Sequence, residues 1–166
     1  MPATAVNLNA PLDLTDANAA AFLDEIQGNI LKAHARDHAR HLLCRFGPDA
    51  SACRAWIANF AQTTVTSATA QRVQIATYKA GSDSGEFAVI ALSNSGFEAL
   101  DLASARPADP IFRGGMKSSA LTATDPPVVQ WETPYQGDIH ALIILADQDV
   151  ARLSRAVSAV QASLAP

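Results

Sequence analysis

The fold of this chain is decided by the stretch Asp24-Glu-Ile-Gln-Gly-Asn-Ile-Leu-Lys32, which leads into His34-Ala-Arg-Asp-His-Ala-Arg-His-Leu-Leu-Cys-Arg-Phe46. The polar residues around Gly28 predict a turn, because glycine and asparagine adopt the backbone conformations that turns require. The compact apolar run from His41 to Phe46 predicts a buried strand, which the following Gly-Pro pair ends. The segment therefore indicates a turn followed by the first strand of a sheet.

Later apolar runs predict the other strands of this sheet. Phe87-Ala-Val-Ile-Ala-Leu92 is one, and Ile139-His-Ala-Leu-Ile-Ile-Leu-Ala146 is so continuously apolar that it is expected to be central. Val73-Gln-Ile-Ala-Thr-Tyr78 alternates weakly and is expected to be a short strand or an edge segment. The polar cluster Gly81-Ser-Asp-Ser-Gly85 predicts a turn, and Val128-Val-Gln-Trp131 is expected to be a brief strand.

Two long helices are predicted by apolar residues at helical spacing. The first is expected to be capped by Asp49 or Ser51, and the last helix of the chain by Asp147. The inner stripe of the first helix consists of Cys53, Trp56, Ile57, Phe60 and Ala61. The inner stripe of the last helix consists of Val150, Leu153, Val157, Val160 and Leu164.

Three shorter helices are predicted by local signals. One starts after Thr15 as its cap, and another covers Gly96–Leu100 after a cap at Asn94 or Ser95. The third runs from Pro110 to about Leu121 and is stopped before Pro126 and Pro127.

The order of these elements predicts an α+β fold. Strands and helices alternate so that helices cover one face of a mostly antiparallel sheet, which is a ferredoxin-like α/β sandwich. We expect residues 1–21 to form an N-terminal arm and residues 22–166 to form the ferredoxin-like domain.

Composition narrows the class of protein. The 166 residues are 49% hydrophobic and 17% charged, with a formal net charge of −4, which indicates a globular domain and argues against nucleic acid as a partner. Residues 1–10 contain no Lys or Arg, and no window is apolar enough to span a bilayer, so we expect a cytoplasmic protein without a membrane partner. Cys44 and Cys53 are expected to be reduced packing residues.

Histidines offer one candidate metal site. His34, His38 and His41 are spaced i, i+4 and i+7, which would place three imidazoles on one helical face suited to zinc. Strand character begins near His38, however, and in a strand His38 and His41 point to opposite faces. Asp37 would point away from both, so we assign no metal ligand here.

Three further motifs suggest chemistry only weakly. Asp138 and His140 share one face of a strand, but Ser93-Asn-Ser-Gly96 is not the nucleophile elbow that a hydrolase needs. Arg113-Gly-Gly-Met116 lacks the lysine of a phosphate-binding loop. Trp56 and Phe60 are interpreted as core residues of one helix face. Trp131 and Tyr135, on either side of Pro134, are interpreted as a structural lid rather than a redox-active pair.

Several segments together resemble the dye-decolourising peroxidases, a family of heme enzymes, in the order and spacing of that family. They cover about residues 22–164, and each is short. They are Ile26-Gln-Gly-Asn-Ile-Leu31 with the strand His38–Phe46, Phe87-Ala-Val-Ile-Ala-Leu-Ser-Asn-Ser-Gly-Phe-Glu-Ala-Leu100, Asp109-Pro-Ile-Phe-Arg-Gly-Gly-Met116, Trp131, and the strand Asp138–Ala146.

The resemblance implies the first of two ferredoxin-like halves. In that family the heme pocket lies mainly in the second half, with a distal aspartate in a Gly-x-x-Asp-Gly motif, a distal arginine and a proximal histidine. This sequence contains no Gly-x-x-Asp-Gly, and its four histidines occupy first-half positions. We therefore assign no catalytic, cofactor-binding or metal residue, and expect no cofactor for the chain alone.

Three functional hypotheses follow. The first is a non-catalytic relative of the peroxidase first half that acts by association, as a homo-oligomer. The second is one subunit of a split peroxidase, in which heme is carried by a second-half polypeptide. The third is a protein that binds heme itself through His34, His38, His41 or His140 at a dimer interface.

Overall fold

A computed structural model of the chain describes residues 6–7, 9–13, 15–118 and 124–164. This part contains a three-stranded antiparallel sheet of strand order β1-β3-β2. The strands are β1 (His38–Cys44), β2 (Phe87–Leu92) and β3 (Ala141–Asp147). The predicted α+β, ferredoxin-like class is confirmed, as is the central position of the most apolar strand.

Helices connect the strands. They are α1 (Ala17–Glu25), α2 (Ala50–Thr63), α3 (Ala68–Lys79), α4 (Asn94–Ala99), α5 (Pro110–Gly114), α6 (Thr133–Gln136) and α7 (Val150–Leu164). Single 3-10 turns cover Ala103–Ala105 and Val128–Gln130.

The first strand differs from its prediction. β1 was expected to be buried, but it lies at an edge of the sheet, and its residues alternate between exposed and half-buried. Within its apolar run, Leu42 and Cys44 are half-buried, whereas Leu43 is exposed.

The expected strand Val73–Tyr78 is wrong, because this segment belongs to α3. The Ser67 hydroxyl caps this helix by accepting the backbone N–H of Ala70 at 3.1 Å. The residues that α3 buries include a polar one, Gln71, so its inner face carries no apolar stripe. An apolar pattern could not have revealed this helix.

Three predicted caps are displaced by one or two residues. The caps are Asp16 for α1, Ser93 for α4 and Asp149 for α7, and the last of these accepts the N–H groups of Ala151 and Arg152. Only the cap of α2 is confirmed, where Asp49 accepts the N–H of Ala52. Asp147 instead turns its carboxylate toward Arg152.

Two further predictions are corrected. Val128–Gln130 forms a 3-10 turn rather than a strand, after two consecutive prolines. The helix that begins at Pro110 ends at Gly114, because Gly115 follows with φ +66°, a conformation that an α-helix cannot continue through. The expected end at Leu121 lies outside the described residues.

The chain divides into two compact units, and the first comprises Met1–Arg40, Thr64–Val89 and Ile144–Pro166. Its core contains Phe87, Val89 and Ala146. Gly28 lies so close to this core that a Cβ atom there would stand 2.8 Å from the Phe87 ring. The predicted turn at Gly28 therefore depends on the absence of a side chain.

The second unit comprises His41–Thr63 and Ile90–Ile143. The rings of Trp56 and Phe60 stack with their centroids 4.9 Å apart, and Phe60 is buried, as predicted. Ala61, which was predicted to lie on the inner stripe of α2, is exposed. The buried face of α2 is therefore narrower than predicted. Cys44 and Cys53 are free and half-buried.

Candidate functional site

The second unit contains a cavity of about 720 Å³. Three stretches of chain meet there: the start of α4, the turn after α5, and the segment from Trp131 to Ile139. The lining residues used below are Ser95, Met116, Lys117, Trp131, Tyr135 and Ile139. We refer to this feature as the α5–α6 cavity.

Trp131 is fixed in the wall of this cavity. Its indole Nε1 donates a hydrogen bond to the Pro126 carbonyl at 2.8 Å, and its own carbonyl accepts one from the Gln136 side chain at 2.7 Å. Because the one polar atom of the indole is used in this way, the ring is held as an apolar wall. This agrees with the interpretation of Trp131 as structural.

Lys117 closes the other side. Its ammonium group donates to the carbonyl oxygens of Gln136 at 2.8 Å and Gly137 at 2.6 Å, and lies 3.8 Å from an Asp138 carboxylate oxygen. These carbonyls belong to the last residue of α6 and to the residue after it, where a helix leaves carbonyl oxygens without intrahelical donors. Lys117 therefore ties the turn after α5 to the segment that enters β3.

The rim of the cavity is open and mixed in character. Met116 is 70% exposed and Tyr135 43% exposed. Within the described part of the chain, the Tyr135 hydroxyl and the Glu132 carboxylate make no hydrogen bond. The charged lining residues, Arg113 and Lys117 against Glu132 and Asp138, balance one another.

Asp138 and His140 do not form a catalytic dyad. His140 Nδ1 accepts the backbone N–H of Phe46 at 2.9 Å, while Asp138 lies near Lys117. The Ser93 hydroxyl donates to the Ile139 carbonyl at 2.6 Å and accepts the Gly96 N–H at 3.0 Å, so it is a helix cap. His140 and Ser93 thus hydrogen-bond to the backbone, whereas Asp138 lies beside the Lys117 ammonium group.

Two of the four histidines, His34 and His140, do not fit the role of a heme iron ligand. In both His34 and His140, Nδ1 accepts a backbone N–H, from Arg36 at 3.0 Å and from Phe46 at 2.9 Å. A neutral imidazole that accepts at Nδ1 carries its proton on Nε2. That is the opposite of the tautomer in which Nε2 binds a metal and Nδ1–H donates to the protein.

The other two histidines are exposed on the edge strand. His38 and His41 lie in β1, so the predicted strand, and not a helical face of three imidazoles, is what forms. Among the described residues, no group of three or more His, Cys, Asp or Glu side chains could hold a metal ion. None of the described helices is long and apolar enough to cross a membrane.

Sequence reasoning missed the α5–α6 cavity as a site. It singled out Arg113-Gly-Gly-Met116 and the Trp131–Tyr135 pair separately, and the structure brings both to one cavity. The Arg113 side chain donates from Nε to the Pro107 carbonyl at 3.0 Å, and α5 follows no strand, so a phosphate loop is not formed. Clustered Trp, Pro, Tyr and Gly residues were the available signal.

Comparison with known proteins gives a consistent result. Residues 25–166 match the domain family described as the DyP dimeric alpha+beta barrel domain. The multifunctional dye peroxidase DyP2 of Amycolatopsis sp. is 34% identical over 162 residues, which cover 94% of this chain and 34% of that protein.

Solved structures of dye-decolourising peroxidases also match this chain. The DyP-type peroxidase of Anabaena sp. superposes with a TM-score of 0.82 at 37% identity, over 87% of this chain and 32% of that one. The DyP2 structure gives a TM-score of 0.79 at 31% identity, over 89% of this chain and 31% of that one. The chain thus spans about a third of the length of the relatives it matches.

Proposed function

This chain belongs to the dye-decolourising peroxidase family, of which it represents the N-terminal α+β barrel domain, and from that premise we propose that it acts by association rather than by catalysis of its own. The partner is a second copy of the chain or a heme-bearing second half. The observation that carries the proposal is the state of the histidines, two of which direct Nδ1 at backbone N–H groups while two are exposed on β1.

Peroxide cleavage at heme requires groups that have not been identified in this chain. Heme chemistry of this kind needs an axial ligand on iron, with an acid–base group and a positive charge on the opposite side. The sequence contains no Gly-x-x-Asp-Gly motif, and neither His nor Cys lines the α5–α6 cavity. We therefore derive no catalytic step for this domain.

The edge strand β1 supplies a surface for association. An edge strand presents backbone N–H and C=O groups that can pair with another chain. Leu43, in this strand, exposes 43% of its surface, and His38, Arg40 and His41 are also exposed. The match to a domain family described as dimeric favours pairing with a like domain.

Light scattering after size exclusion tests the proposal. We expect a mass near twice the 17.4 kDa of one chain at high concentration, and a shift toward monomer in Leu43→Lys. Val73→Lys is the matched control, because Val73 is exposed on α3 rather than on the edge strand. A monomer at every concentration, together with no binding to a heme-bearing second half, would contradict the proposal.

A second candidate is one subunit of a split peroxidase. It is favoured by the length comparison, because about two thirds of each relative's length lies outside the part that this chain matches. Co-expression with a polypeptide that contains Gly-x-x-Asp-Gly and the remaining heme-binding segments tests it. Co-purification of the two chains with a Soret absorbance supports this candidate, and separate elution counts against it.

A further inference from the structure

We propose that the α5–α6 cavity is a ligand site of its own, which binds a small, uncharged and largely apolar molecule without heme. The site lies in the second unit, and none of the four histidines lines it. The proposal concerns binding and does not depend on the proposed function.

The size and walls of the cavity fit such a ligand. Its volume of about 720 Å³ lies within the roughly 300–1,000 Å³ of small-molecule sites. Its apolar surfaces come from Met116, Trp131, Tyr135 and Ile139, of types suited to ring-bearing molecules. Methionine adapts to irregular shapes, because its side chain is unbranched and polarizable.

The charges argue against an ion. Two basic and two acidic residues line the cavity, and Lys117 already directs its ammonium group at two carbonyl oxygens. An anion or a cation would have to leave water without a net opposite charge to receive it, which costs free energy. An uncharged molecule avoids that cost.

Of the two lining groups without a hydrogen bond or ion pair among the described residues, the Glu132 carboxylate and the Tyr135 hydroxyl, the uncharged hydroxyl can orient the ligand. The Tyr135 hydroxyl makes no hydrogen bond in the described part of the chain, so a single polar atom on the ligand can pair with it. The wall that faces the ligand is held in advance, because Trp131 is bonded to Pro126 and Gln136. A wall that is already ordered loses little entropy on binding.

Fluorescence titration of the full chain tests the site. N-phenyl-1-naphthylamine, an uncharged two-ring probe, is titrated into the Trp56→Phe variant, in which Trp131 is the remaining tryptophan of two. We expect saturable binding with energy transfer from Trp131. The sulfonated analogue 1-anilinonaphthalene-8-sulfonate is expected to bind about tenfold more weakly, because its charge has no partner.

Variants locate the binding. Met116→Ala and Tyr135→Ala are expected to weaken binding of the uncharged probe about tenfold, because each substitution removes apolar surface that lines the cavity. Both side chains are exposed, so folding is preserved. Ile111→Ala is the control, since Ile111 is exposed on α5 but does not line the cavity. No saturable binding, saturation without energy transfer, or equal affinity in all variants would each overturn the proposal.

Discussion

At the scale of single residues, His140 holds three segments of the second unit together. Its backbone N–H donates to Cys44, its carbonyl accepts from Ser93, and its Nδ1 accepts from Phe46. Burial lowers the pKa of the imidazole below 6.5 and the charge of Arg45 lowers it further, while Asp138 opposes both. The folded chain therefore favours the neutral ring.

We predict that acidification destabilises the domain through His140. Because the folded pKa lies below the unfolded value of 6.5, the unfolded chain binds the proton first as pH falls. The stabilisation is complete above pH 6.5 and is lost as pH falls toward the folded pKa. Urea unfolding across this range measures it, and His140→Phe should flatten the dependence.

His41→Phe is the control for this measurement, because His41 is exposed on β1. A pH dependence that is identical in the wild-type chain and His140→Phe would show that another group is responsible.

Gly96 gives a second prediction. A Cβ atom at Gly96 would stand 2.0 Å from the His140 carbonyl oxygen, a backbone atom that cannot rotate away. Gly96→Ala should therefore lower the free energy of unfolding by about 1–3 kcal/mol, as overpacking does. Gly47→Ala, with no heavy atom within 4 Å, should stay within about 0.5 kcal/mol. Equal unfolding midpoints for the two variants would contradict the packing assigned to Gly96.

Residue roles were predictable only where partners are local. The turn at Gly28 followed from its polar neighbours, and the Asp49 cap from its position before an apolar stripe. Ser93 was not identified as the cap of α4, because the adjacent Asn94 and Ser95 are also residue types that cap helices. Its second bond, to the Ile139 carbonyl 46 residues away, could not be predicted at all. Contacts between residues so far apart in the chain cannot be predicted from the neighbouring residues.

At the scale of elements, an ion-pair network joins the end of β3 to the start of α7. Asp147 is fully buried, and its carboxylate oxygens each accept from Arg152 at 2.6 Å. Burial alone would raise the pKa of Asp147, but hydrogen bonds from Arg152 and the backbone outweigh it and lower the pKa. Arg152 also contacts Asp83 at 2.6 Å and lowers the pKa of that exposed carboxyl to about 2.

We predict that Arg152→Ala destabilises the fold by about 3–5 kcal/mol, because it leaves the buried Asp147 carboxylate without its partner. Arg155→Ala is the matched control, an exposed arginine on the same helix with no ion pair among the described residues. Chemical denaturation of both variants measures the difference. Losses of similar size in the two would show that the buried pair does not stabilise this junction.

Elements were predictable where one apolar pattern decides them. β2 and β3 followed from near-continuous apolar runs, since a strand enclosed on both faces needs them. α3 did not, because its inner face buries Gln71, whose side chain serves the backbone at Asn29 and Lys32. The periodic spacing of apolar residues gives no information about polar contacts of this kind.

At the scale of the whole molecule, the fold and the family were predictable together. Apolar runs and short motifs in the correct order indicated one ferredoxin-like half, and both are confirmed. The α5–α6 cavity was not predictable, because its lining comes from three separate stretches near residues 93–95, 113–117 and 131–139. The division into residues 1–21 and 22–166 and the cytoplasmic location stay predictions.

Association gives a prediction at this scale. When the chain is mixed with a heme-bearing second half, we expect a complex that is weakened by Leu43→Lys and unchanged by Val73→Lys. Analytical ultracentrifugation at 280 nm and at the Soret wavelength follows both chains at once. Equal complex formation by the two variants would show that β1 does not form the interface.

Hemin titration of the purified chain tests the central claim most directly, because it asks whether this domain can hold iron by itself. We predict a spectrum without the Soret shift of axial ligation, and no dye oxidation by hydrogen peroxide above that of free hemin. A saturable, axially ligated spectrum with peroxide-driven dye oxidation, lost when His34, His38, His41 or His140 is replaced by Ala, would contradict the account.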